Sequence, residues 1–127
     1  MKFGYAIQYV DDVERTIAFY ERAFGLERGM VQPEYGELAT GDTKLAFAAK
    51  AHVASFLPLA FQGNGLENAP PPMEIGLVTE DVKAAYERAV GAGAAPVMAP
   101  VAKPWGQIVG YVRDPNGFLV EICSPMK

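Results

Sequence analysis

Few side chains here are equipped for covalent or metal chemistry. The chain has one histidine, His52, and one cysteine, Cys123. No Ser-His-Asp arrangement can be justified around that histidine, and a lone thiol rules out both a Cys-X-X-Cys pair and an internal disulfide. Cys123 lies in the apolar run "FLVEIC" and reads as a buried structural thiol, since a reactive one needs an electropositive, accessible setting. His52 opens a loop-rich tract and reads as a solvated histidine. The glycine clusters "GNG" and "GAGA" lack the strand-to-helix setting of a phosphate cradle. What remains is carboxylates and phenols set in apolar runs: Glu74 in "MEIGLVT", Glu121 in "FLVEIC", Tyr5 and Tyr9 in "FGYAIQYV" and Tyr111 in "QIVGYVR", with the sole tryptophan, Trp105, in "KPWGQ". Groups of this kind transfer protons or hold the polar end of an organic ligand.

The elements that position them come as a repeat. "YAIQYVDDVERTIAFYERAFG" from Tyr5 is echoed by "EIGLVTEDVKAAYERAVGAG" from Glu74. In each copy a run rich in β-branched and aromatic residues ends at an acidic pair, Asp11-Asp12 or Glu80-Asp81, which reads as a strand followed by a helix N-cap. Val13, Ile17, Tyr20 and Phe24 then recur on one helical face, as do Val82, Ala85, Tyr86, Ala89 and Val90. Gly25 closes the first helix, and Gly91 with Gly93 the second. Asp12 matches Asp81 at a shift of 69, but the "YER" tripeptides match at 66, so the second helix is about one turn shorter. Three strand candidates follow in each half: "LERGMVQ", "YGELAT" and "KLAFAA", then "APVMAPV", "QIVGYVR" and "FLVEIC". The "DPNG" at Asp114–Gly117 marks a tight hairpin.

Each half is therefore β-α-β-β-β, and the fold class is α+β. The chain of 127 residues reads as one domain: module 1 over 1–50, a Gly- and Pro-rich linker over 51–72, and module 2 over 73–127. One such unit exposes an apolar sheet face without cover, so the two copies are expected to close a barrel-like cavity between their half-sheets. With 50% hydrophobic residues a core is affordable in size, and a net charge of −4 with scattered Lys and Arg offers no footprint for nucleic acid. No basic leader or membrane-length apolar stretch is read, which predicts a cytoplasmic location and no membrane partner.

Three tracts, "YAIQYVDDVERTIAFYERAFGLE", "YGELATGDTKLAFA" and "KPWGQIVGYVRDPNGFLVEI", together resemble the vicinal oxygen chelate superfamily of glyoxalase I, extradiol dioxygenases and fosfomycin- and bleomycin-resistance proteins. The resemblance implies two βαβββ modules around a ligand cavity. Members include lyases, isomerases, dioxygenases and binding proteins that do no chemistry, so it leaves open whether this chain is an enzyme. It also implies four metal-ligand places. The first falls on Tyr5, the second on or near Phe47, the third on Glu74 and the fourth on Glu121. Tyr and Phe are not usual ligands, so no metal centre and no cofactor are expected, with a divalent ion held by two carboxylates as the alternative.

Strand alternation puts Tyr5 with Ile7 and Tyr9, Glu74 with Gly76 and Val78, Glu121 with Leu119 and Cys123, and Phe47 with Leu45 and Ala49. The expected lining of Tyr5, Ile7, Tyr9, Phe47 and Tyr111 is apolar and aromatic, and the resemblance adds Trp105 near the ligand. It suits a small, partly apolar organic ligand with a cationic or hydrogen-bond-donating group. Glu74 and Glu121, as acids buried in one cavity, are expected to have raised pKa values, one pushed higher still by the nearness of the other, and to act as catalytic acid and base if the chain is a lyase or isomerase. Uncovered apolar surface and strand edges predict a homodimer.

Overall fold

The computed structural model describes residues 1–126. The chain forms two compact units, Met1–Asn64 and a second that starts at Gly65. The first runs β1 (Tyr5–Val10), α1 (Val13–Phe24), β2 (Arg28–Gln32), β3 (Tyr35–Leu38), β4 (Lys44–Ala49) and α2 (Lys50–Ala54). The second runs β5 (Glu74–Val78), α3 (Val82–Gly91), β6 (Ala95–Ala102), β7 (Ile108–Arg113) and β8 (Leu119–Cys123). Each holds one four-stranded mixed sheet, ordered β1-β4-β3-β2 and β5-β8-β7-β6. In both, the first strand runs parallel to the last, and the helix between them supplies the crossover that parallel pairing requires. The expected βαβββ succession is present twice. Among the described residues no helix is long and apolar enough to cross a membrane.

Local chemistry sets the boundaries. The Asp12 carboxylate accepts the Arg15 N–H at 3.0 Å and Asp81 that of Ala84 at 3.1 Å, each satisfying an orphan donor of the first turn. Gly25, at φ 68°, ends α1 in the left-handed conformation that favours glycine. In the β7–β8 turn the fully buried Asp114 accepts the N–H groups of Asn116 and Phe118 at 3.0 and 2.9 Å. One element departs from expectation: the helix α2 stands where the linker was placed. "KAHVA" contains good helix formers and buries Val53, while the Gly and Pro signals all lie downstream of it.

The core of each unit lies between its long helix and one sheet face. In the first unit Val13, Ile17 and Tyr20 of α1 are buried, and the Tyr20 ring meets Phe47 at 5.0 Å between centroids. Gly36 belongs to this face because α1 runs close over it: a Cβ there would stand 3.0 Å from Val13 Cγ1. Phe47 is in register with Gln8 and Gly36, whereas Ala46 is in register with Ile7 and Glu37. Tyr5, Ile7, Tyr9, Tyr35 and Glu37 therefore share the face turned away from α1. The expectation that Phe47 lines a ligand cavity is corrected here. Phe47 has no exposure and fills the helix-side core, because a one-residue step along a strand reverses the face.

Candidate functional site

The second sheet gathers the sequence-derived acids on the face away from α3. Gly76, Glu121 and Tyr111 are in register across β5, β8 and β7, so Glu121 stands between a glycine and a tyrosine. Gly76 has open space where a side chain would be. Glu74, two residues earlier on the edge strand β5, hydrogen-bonds the Glu121 carboxyl. From the other side the Tyr111 hydroxyl donates to Glu121 Oε2 at 3.5 Å, a long contact. The three groups form one small network on this face.

Its electrostatics follow from proximity. Glu74 is pushed up to about 7, first by its hydrogen bond to Glu121, then by partial desolvation and by the charge of Glu121, while a bond to Tyr111 pulls the other way. The carboxyl beside it makes Glu74 resist losing its proton, so near neutral pH Glu74 is only partly ionised. The expected causes were burial in a closed cavity and the nearness of the second acid. Glu74 is instead exposed, and the shift comes chiefly from its partner. Tyr111 is raised, by burial first and then by both acids, so its hydroxyl stays a donor. Cys123 shares this face and is also raised, by burial and then by Glu121. A protonated, buried thiol of this kind is a packing group that also hydrogen-bonds the site, a second role that alternation along β8 already hinted at.

The remaining predicted residues separate into two groups. Tyr5, Ile7 and Tyr9 stand together on the first sheet's open face, with Tyr5 and Ile7 exposed. Trp105 lies at the tip of the β6–β7 hairpin, 58% exposed, where Nε1 donates to Gln107 Oε1 at 2.8 Å and Gln107 in turn donates to the Ser124 carbonyl at 2.9 Å. The structure does not bring it onto the strand positions occupied by the acids. Arg113 is on the Tyr111 side of β7, but its guanidinium donates to the carbonyls of Gly117, Leu66, Gly65 and Asn68, at 2.9, 3.3, 3.5 and 2.7 Å. It holds a loop rather than presenting a charge. Reading the chain alone missed Tyr35 and Glu37, although their i, i+2 spacing in "YGE" marks them as same-face neighbours.

The four metal places implied by the resemblance can now be checked against the register. Ala46 faces Ile7 as Glu121 faces Gly76, so Ala46, rather than Phe47, is the first-sheet counterpart of Glu121. The set becomes Tyr5, Ala46, Glu74 and Glu121. A methyl group cannot ligate, and the described residues contain no group of three or more His, Cys, Asp or Glu side chains that could hold a metal ion. These residues do not fit a four-ligand centre.

The sequence model of the Glyoxalase/Bleomycin resistance protein/Dioxygenase superfamily matches residues 2–122. The chain belongs to that superfamily. An uncharacterised protein of Mycobacterium bovis is 30% identical over 128 aligned residues, covering 93% of this chain and 80% of the relative. Among solved structures, a glyoxalase-related enzyme from Fulvimarina pelagi superposes with a TM-score of 0.85 at 23% identity, over 98% of this chain and 88% of that one. A family member described as an enzyme, from Burkholderia phytofirmans, gives 0.79 at 19%, over 98% of both. At these identities the structural matches speak for the fold alone.

Proposed function

We propose that this superfamily member binds a small, partly apolar organic ligand at the open face of its second sheet, without a four-ligand metal centre. The observation that carries this reading is the hydrogen-bonded pair of Glu74 and Glu121 beside the Tyr111 hydroxyl. A carboxyl forced by its neighbour to hold its proton to higher pH is an unfavourable arrangement for folding, and it becomes favourable when a cationic or donor group enters beside it. Leu119 and Val78 on the same face supply apolar contact. A second reading rests on the same Glu74: a carboxyl near 7 is matched to proton transfer at neutral pH, which would make the chain a lyase or isomerase with Glu74 and Glu121 as acid and base.

Calorimetric titration with aromatic amines and phenols, beginning with benzylamine, tests the binding reading. Wild type should bind, and Glu121→Gln should bind roughly 10- to 100-fold more weakly, the loss of a charge-assisted hydrogen bond worth about 1–3 kcal/mol. Equal affinity in wild type, Glu74→Gln and Glu121→Gln, or no binding by wild type, overturns it.

A further inference from the structure

We propose that the stretch from Phe56 to Asn64, which follows α2, is a detachable strap over Tyr9, and that the Lys50 ammonium is the latch that keeps it closed. Every residue of this device belongs to the first unit.

The strap contains no helix or strand, and it carries large apolar side chains in the open, with Phe56 61% and Leu59 65% exposed. Such a stretch stays in place only where specific contacts hold it. The Phe61 ring meets the Tyr9 ring edge-on at 4.9 Å between centroids. The Asn64 side-chain amide donates from Nδ2 to the Tyr9 carbonyl at 2.6 Å. Lys50 Nζ donates to the Gln62 carbonyl at 2.8 Å and to Asn64 Oδ1 at 2.9 Å. The ammonium therefore fixes the chain next to Phe61 and steers the amide whose other end holds β1.

The place of Lys50 is explained by the strap rather than by its own helix. It is the first residue of α2, the end at which aligned peptide dipoles disfavour a cation. Among the described residues it forms no ion pair, and both of its side-chain hydrogen bonds go to the strap. Between Pro58 and Gly63 the hydrogen bond from Lys50 to Gln62 is the one found among the described residues. A charged donor makes a stronger bond to a neutral oxygen than a neutral donor does, so this single cation accounts for much of what holds the segment. Tyr5 and Ile7 on the same strand face are exposed, whereas Tyr9, with Phe61 against it, is half-buried. Removing the ammonium leaves one ring contact and an amide that nothing steers from Lys50. The strap then lifts, an order-to-disorder change of one segment, and Tyr9 becomes as accessible as Tyr5.

The test is NMR on the full 13C,15N-labelled chain with a soluble gadolinium chelate as the probe of exposure. In wild type, nuclear Overhauser contacts should join the Phe61 and Tyr9 rings, and the chelate should broaden the Tyr5 ring signals more than those of Tyr9. In Lys50→Met the ring contacts should be lost and Tyr9 should broaden to the level of Tyr5. Lys44→Met, which removes a lysine that donates to the Gly41 carbonyl instead, should change neither. Should Lys50→Met lose its native spectrum, Asn64→Ala decides, and the same release is expected there. Ring contacts and a protected Tyr9 that persist in the deciding variant overturn the proposal. So does the absence of the Phe61–Tyr9 contact in wild type, or an equal loss in Lys44→Met.

Discussion

Replacing Glu121 with Gln isolates the cause of the Glu74 shift. The raised value of about 7, against an ordinary 4.5, comes first from the hydrogen bond between the two carboxyls and then from burial and from the Glu121 charge. Gln keeps the shape, removes the charge, and offers an N–H that favours the ionised form of Glu74, so the Glu74 midpoint should fall by more than one pH unit. The sign for stability follows. The folded state holds the Glu74 proton more tightly than the unfolded chain, so between about pH 4.5 and 7 folding binds the extra proton and wild-type stability declines as pH rises. One pKa unit is worth about 1.4 kcal/mol, but Glu74 is exposed and solvent screens the interaction, which reduces the whole effect to about 1 kcal/mol or less. Carboxyl-detected NMR titration of wild type and variant measures the midpoint, and urea unfolding at pH 4.5 and 7.5 measures the slope. A wild-type Glu74 titrating near 4.5, or a Gln variant still titrating near 7, refutes the reasoning.

Two further outcomes follow from the face assignments. Phe47→Ala should destabilise the protein by about 3–5 kcal/mol in urea unfolding, since it empties the helix-side core, whereas Tyr5→Ala on the exposed face should change stability by under about 1 kcal/mol; the opposite ranking would mean the faces are exchanged. Exposed Val97 and Val101 on the edge strand β6 are the kind of surface a second copy covers, so two chains are expected to associate, and light scattering that gives the mass of one chain at micromolar concentration counts against this.

The strands and both long helices were legible because their signals are local: alternation, acidic caps, and glycine or proline at turns. "KLAFAA" became β4 at its written bounds, and Asp12 and Asp81 cap as read. What failed depended on partners far away in sequence. An internal match to within a residue suffices to find a strand but not to assign its face, and that one residue separates the buried Phe47 from Ala46. The short helix α2 was hidden by the Gly and Pro downstream of it. Tyr35 and Glu37 went unnoticed because neither sits at a place matched in the other copy.

The acids themselves show a similar division between what spacing reveals and what contact decides. Spacing put Glu74 and Glu121 on strands expected to line one cavity and gave burial, then nearness, as the reasons for a raised pKa, whereas nearness leads and burial comes second. The hydrogen bond between the two carboxyls supplies the leading reason, and Gly76, in register with Glu121, leaves open space beside it. A fold selected only for stability gains nothing from this arrangement: one carboxyl is forced by another to hold its proton to higher pH, with a tyrosine and a buried thiol arranged around the second. Moving either acid one residue along its strand would turn it to the other face and relieve the repulsion. The pair is therefore better understood as an arrangement awaiting a ligand's positive or donating group than as part of what holds the sheet together.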